Sequence, residues 1–174
     1  MTPVRATGFS LIELLVALTI MAVLTGLLVL STGSGGIESQ LREQAERLRA
    51  RIDYACERAE LSGRDTGLHL ASGGYAFSER RGETWEFLTR AELAPYPLRK
   101  GIELRGEAGP LDETYPEQPQ MLCLASGEHS PLAVLIVAGE RNPEIRLSAD
   151  WNLAIELAER APGSGEWRTV KDRP

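Results

Sequence analysis

GFSLIELLVALTIMAVLTGLLVL, residues 8–30, decides the architecture of this chain. From Phe9 to Leu30 there are 22 residues and one charge, Glu13. At about 1.5 Å rise per residue a helix of that length reaches about 33 Å, enough to cross the hydrocarbon core of a bilayer. Arg5 is the only charged side chain before it, so residues 1–8 are expected to stay cytoplasmic while the rest is exported. A cleavable secretory signal fits poorly. The apolar run is longer than an ordinary signal core, and LVLSTGSGG after it holds no A-x-A-like cleavage site.

Glu13 is the anomaly. A carboxylate near the centre of a membrane helix costs about 2.5–3.5 kcal/mol and less near the edge, so it implies a use and a partner. Cleavage between Gly8 and Phe9 would create an ammonium four residues before Glu13. In a bundle of parallel, axially staggered helices, that ammonium could pair with the Glu13 of a neighbour. Buried ion pairs are best attested as devices that fix register.

Gly8-Phe9-Ser10-Leu11-Ile12-Glu13 resembles the processing motif of type IV pilins and type II secretion pseudopilins. The resemblance implies cleavage after Gly8 and N-methylation of Phe9 by a prepilin peptidase/N-methyltransferase. It also implies assembly through the apolar helix, with Glu13 as the assembly carboxylate. Many pilins carry a proline late in this helix, whereas position 30 here is Leu30.

Beyond the apolar run the chain changes character. STGSGG, residues 31–36, reads as a flexible joint. Residues 37–63 read as an amphipathic helix. Ile37, Leu41, Ala45, Leu48, Ile52, Cys56 and Ala59 form one stripe, Glu38/Arg42 and Glu43/Arg47 pair at four-residue spacing, and Gly63 is the cap. Packing on a sheet suits its small residues better than a coiled coil. Short alternating runs then predict strands at Thr66–Leu70, Gly74–Phe77, Thr84–Leu88, Ile102–Leu104, Met121–Leu124, Leu132–Val137, Ile145–Leu147 and Leu153–Leu157, with Gly- and Pro-rich turns between. The expected fold is α+β, a long N-terminal helix on an antiparallel sheet or β-sandwich, with the β-rich domain over 64–161. Glu107–Gln120, with Pro110, Pro116 and Pro119, is expected as an exposed loop, and 162–174 as a polar, frayed tail onto which Trp167 could dock.

ERAELSGRDTGLHL (57–70), ASGGYAF (71–77) with Trp85, and QMLCLASGEHSPLAVLI (120–136) resemble the minor pseudopilin GspH (XcpU) family of type II secretion. That resemblance implies a pilin-like fold and a low-copy subunit near the pseudopilus tip, partnered by the major shaft and minor tip subunits. It also implies an inner-membrane protein with a periplasmic domain.

The remaining residues exclude more than they suggest. The net charge is −6, so no nucleic-acid partner is expected; the tail offers only Arg168, Lys171 and Arg173. Cys56 and Cys123 have no metal-ligand spacing; outside the cytoplasm they could form a disulfide, and otherwise they fit as buried thiols. His69 and His129 have no nucleophile or acid partner in local sequence, and phosphate-loop and calcium-loop motifs are absent. No catalytic residue, metal or cofactor is expected. The competing reading is a minor pilin of a type IV pilus, as an initiation or DNA-uptake subunit. A membrane-tethered enzyme has no site to support it.

Overall fold

A computed structural model describes residues 11–33, 36–90, 92–151 and 155–170, with side chains of the first helix described through residue 22. The chain divides into two units, Met1–Gly36 and Ile37–Pro174.

The first unit is helix α1, Leu11–Gly33. It runs three residues into the segment expected as a joint; 34 and 35 lie outside the described residues, and Gly36 is a bend. Every described side chain of α1 is exposed, with Leu11 at 87 %, Ile12 at 71 % and Met21 at 69 %. A helix apolar on all sides has no core-facing stripe, and such helices are found buried inside a larger assembly or a bilayer. Among the described residues no helix is long and apolar enough to cross a membrane. The described side chains, 11–22, cover only part of the 9–30 span expected from the sequence.

The second unit is built on helix α2, Ile37–Ser62, closed by Gly63 at a φ of 65°. That left-handed conformation costs glycine nothing and ends the helix. Its buried face is Leu41, Gln44, Ala45, Leu48, Ile52, Ala55, Cys56 and Ala59, the stripe expected from the sequence with Gln44 and Ala55 added and Ile37 only partly buried. Glu38–Arg42 and Glu43–Arg47 pair at 3.2 and 3.1 Å.

The stripe lies across two antiparallel sheets. The first contains β1 (Thr66–Ala71), β2 (Gly74–Arg81), β3 (Thr84–Phe87), the short β4 (Tyr96–Pro97) and β7 (Met121–Cys123), in the order β3-β2-β1-β7 with β4 also on β2. The second contains β5 (Glu103–Gly106), β6 (Gly109–Pro110), β8 (Leu132–Val137), β9 (Glu144–Ala149), β10 (Ile155–Arg160) and β11 (Arg168–Thr169), in the order β11-β10-β9-β8-β5-β6. α2 packs on β1 and β7 of the first and on β8 and β9 of the second. Leu132, Val134 and Ile136 on β8 and Ile145, Leu147 and Ala149 on β9 alternate inward, as strands with one covered face should.

Three expectations change in the structure. Strand β2 runs past its expected end at Phe77 through Arg81, and the hairpin turns at Gly82. The tail is not frayed over its described part. β11 pairs with β10 through Ala158↔Thr169 and Glu159↔Arg168, and the guanidinium groups of Arg146 and Arg160 both lie against the Trp167 ring, 4.8 and 4.6 Å from its centroid. Cation–π contact holds what polar composition alone would leave loose. The stretch from Glu107 to Gln120 contains β6, and its later part is pinned to β1. Gln120 donates its backbone N–H to Leu68 O and pairs its side-chain amide with both backbone groups of Leu70. Pro119 packs so closely over Gly67 that a Cβ there would lie 2.6 Å from Pro119 Cβ. All six residues of β1 are therefore buried: Leu68 and Leu70 face the core, while Gly67 and His69 lie under this segment.

Candidate functional site

Two places in the chain concentrate groups that packing alone does not use. The first is the start of α1. Glu13 stands in its first turn among exposed Leu11, Ile12, Leu14 and Leu15, and it makes no ion pair or hydrogen bond among the described residues. Thr19, the next polar side chain along the described helix, is satisfied within it: its hydroxyl donates to Leu15 O and Val16 O, at 3.1 and 2.8 Å. The helix thus silences its hydroxyl and leaves its carboxylate open. An unpaired carboxylate on an apolar surface needs a partner from outside the helix if that surface is to lose its water. Gly8 and Phe9, the expected processing pair, lie outside the described residues.

The second place is a recess of about 290 Å³ beside the C-terminal end of α2, walled by Arg58, Arg64, Arg81, Arg90, Phe87 and Leu88. Glu79 on β2 forms its floor, 4 % exposed. Its carboxylate meets Arg64 at 2.8 Å, Arg58 at 3.5 Å and Arg81 at 3.8 Å. Burial pushes the Glu79 carboxyl up, but the Arg64 hydrogen bond and the charges of Arg64, Arg58 and Arg81 outweigh it and hold the group below its ordinary value of 4.5. Glu86 takes a further bond from Arg81 at 3.1 Å. In the sequence only Arg80 and Arg81 stand together, four residues ahead of Trp85. The other arginines come from the helix end and from the segment after β3, and only folding brings them together. Arg80 turns aside and pairs with Asp65 at 3.5 Å.

His69 is brought to partners that local sequence does not show. In the β1–β2 register Gly67 pairs with Ser78, which places Ser78 diagonally beside His69 on the same face. Ser78 Oγ lies 2.7 Å from His69 Nε2, and Nδ1 lies 2.8 Å from Pro116 O. A carbonyl can only accept, so Nδ1 carries the proton and Nε2 accepts from the Ser78 hydroxyl. Both side chains are fully buried, so this serine–histidine pair cannot meet a substrate and instead pins the overlying segment to β1. Burial lowers the His69 pKa from 6.5, against the opposing hydrogen bond to Pro116 O. His129 makes an isolated bridge with Cys123, and its Nδ1 donates to Ser130 O at 3.1 Å.

Cys56 on α2 and Cys123 on β7 are joined in a disulfide, with Cα atoms 4.9 Å apart. The bond clamps the helix to the inner edge strand of the first sheet. Among the described residues no group of three or more His, Cys, Asp or Glu side chains is placed to hold a metal ion.

Comparison with known proteins decides what this architecture is. Residues 4–29 match the prokaryotic N-terminal methylation motif. The type II secretion system protein H of Pseudomonas aeruginosa is 37 % identical over 162 residues, covering 82 % of this chain and 90 % of that protein. The chain belongs to the type II secretion system protein H family. The family member of Escherichia coli K12 is 28 % identical, covering 87 % of this chain and 94 % of that protein. The fold is also that of solved members. The minor pseudopilin EpsH from the type 2 secretion system of Vibrio cholerae matches with a TM-score of 0.58 at 24 % identity, covering 72 % of this chain and 99 % of that one. The solution structure of Escherichia coli GspH matches at 0.55 and 21 %, covering 76 % and 96 %. The protein H family is thus an α+β, pilin-like family, as the helix and strand pattern predicts.

Proposed function

We propose that this chain is a structural minor pseudopilin that assembles near the pseudopilus tip and supports export of folded periplasmic proteins across the outer membrane. Before assembly it is a single-pass inner-membrane protein, N-terminus cytoplasmic and C-terminal domain periplasmic, held by residues 9–30. A prepilin peptidase/N-methyltransferase cuts after Gly8 and methylates Phe9. The helix is then drawn from the bilayer into a filament, where neighbouring apolar helices replace lipid around it. The new Phe9 ammonium and the Glu13 of an adjacent subunit pair and set the axial stagger. The domain performs no covalent chemistry; it contributes side-to-side contacts with the major shaft and minor tip subunits.

The observation that carries this reading is the contrast within α1 between a self-satisfied Thr19 and an open Glu13 on an otherwise apolar surface. A single-helix anchor in lipid gains nothing from that carboxylate, whereas a packed bundle gains a defined register. The Cys56–Cys123 pairing supports an oxidising, periplasmic setting for the domain.

Deleting the gene and scoring exoprotein secretion beside pilus-driven twitching and DNA uptake tests the reading. Loss of secretion with normal pilus functions is the expected result. Loss of twitching or uptake with normal secretion would assign the chain to a type IV pilus instead.

A further inference from the structure

The arginine recess at the end of α2 holds more positive charge than its own fold uses. Its wall brings four guanidinium groups, Arg58, Arg64, Arg81 and Arg90, against two carboxylates, Glu79 and Glu86. Glu79 is already met by three of the four. Arg58 Nε is buried with no acceptor. Arg90 is exposed and has no carboxylate partner among the described residues. The exposed Arg90 guanidinium is open to pair with an incoming carboxylate, and a charge-assisted, bidentate pair is the strongest hydrogen bond such a group makes. The surplus is also local: the whole chain carries −6, so this recess is a positive site on an acidic protein.

Glu79 explains the arrangement without filling it. Its buried carboxylate draws the Arg58, Arg64 and Arg81 head groups to one point and orders them, as a counter-charge beneath a binding surface. Guanidinium groups held in place lose less freedom on binding, and their paired N–H donors match the two oxygens of a carboxylate. Phe87, 47 % exposed, and Leu88 add an apolar wall that would cover the methylenes of an acidic side chain. The recess is therefore preorganised for one acidic side chain on a protein segment.

We propose that Arg58, Arg64, Arg81 and Arg90 form the receptor for an aspartate or glutamate side chain of a neighbouring pseudopilin, with Arg90 as the outermost donor. This rests on the assembly reading above for the identity of the neighbour. The charge chemistry itself does not depend on that reading.

Site-specific incorporation of a benzophenone amino acid at exposed Thr89, in the full-length chain in its own cells, tests it. The expected adduct joins Thr89 to another pseudopilin within a few residues of an Asp or Glu. Arg90→Glu should cut the adduct yield about tenfold, which corresponds to about 1.4 kcal/mol, whereas Arg90→Lys should preserve most of it. Changing the captured acid to Arg should restore capture by the Arg90→Glu chain. Since the Arg90 side chain has no ion pair or hydrogen bond among the described residues, an unchanged melting temperature of the purified Arg90→Glu protein separates lost docking from lost folding. An adduct indifferent to Arg90→Glu, a captured segment lacking an acid, a phospholipid adduct, or no adduct at all would overturn the proposal. If gene deletion spares secretion while the charge-dependent adduct persists, the assembly reading falls and the recess stands. Loss of secretion on deletion without any Thr89 adduct gives the reverse.

Discussion

The two helices of this chain are both long and adjacent in sequence, yet they spend their side chains in opposite ways. α1 is apolar on every described side and exposes all of it, with one unpaired carboxylate. α2 sorts its residues. Leu41, Leu48 and Ile52 are at or below 1 % exposure, while Arg42, Arg47 and Arg51 on other faces each find a partner. Arg51 alone lies over the rings of Tyr75, Tyr96 and Phe77, at 5.2, 5.3 and 5.7 Å, and donates to Glu92 O and Ala94 O. A helix whose contacts are complete inside the chain is a structural element of that chain. One whose described side chains are all exposed is suited to packing against something larger.

That contrast predicts a separation between variants that abolish assembly and variants that unfold the domain. The largest effect belongs to Gly8→Ala. It should stop processing altogether and leave an 8-residue leader on a membrane-bound, folded protein; intact-mass measurement finding the normal mature mass would break the comparison at its root. Next comes Glu13→Leu, expected to insert as well as the parent yet lose cross-linking to neighbouring subunits by about tenfold or more, in line with the several kcal/mol that separate a matched from an unmatched charge. Its domain should melt at the parental temperature. If assembly were untouched, the register role of Glu13 would be wrong.

Within α2 the expected order reverses. Leu48→Ala should cost the domain about 3 kcal/mol through lost burial and the cavity left behind, read by denaturant unfolding, while leaving leader cleavage unchanged. Acid should act more mildly. His69 has its pKa lowered from 6.5 and Glu79 from 4.5, so each stabilises fully above those values and loses its contribution as pH falls through the lower folded pKa. Unfolding free energy should therefore decline below about pH 6.5 and again below about 4.5. His69→Gln should remove the upper step, and a titration in which that variant kept it would show that another group is responsible. The smallest effect is Arg42→Ala. It removes the 2.6 Å pair with Glu159 and the helical pair with Glu38, both partly solvated, for about 0.5–1 kcal/mol.

Much of this was legible in the sequence because its signals were local and periodic. The buried stripe of α2 was readable at three- and four-residue spacing, and Gly63 marked its end. The eight expected strands appear, the last described from Ile155 to Arg160, with its expected start at Leu153 outside the described residues. What escaped reading depended on contacts between distant segments. β4, β6 and β11 are two residues each, too short for alternation to register, and exist because a neighbouring strand recruits them. The segment over β1 reads as a loop from its prolines, yet Pro119 needs the bare backbone of Gly67 beneath it and Pro116 needs His69. The arginine recess draws on residues 58, 64, 81 and 90, which no spacing rule connects. At the N-terminus the position was different. Glu13 was conspicuous in sequence, and the structure adds that Thr19 is internally satisfied while Glu13 is not.

The Cys56–Cys123 bond acquires a mechanical meaning once α1 is regarded as the end of the molecule on which a growing filament pulls. Tension entering at Ile37 would tend to peel α2 off the sheets from its first turn onward, drawing out Leu41 and breaking Arg42–Glu159 before it reaches Leu48. At Cys56 the peeling front meets a covalent stop, and the chain between Cys56 and Cys123, a sequence separation of 67, stays closed as a loop. The load then passes sideways into β7 and, through its pairing with β1, into the first sheet. The domain can thus be strained at its base while its distal half, including the arginine recess, keeps its shape.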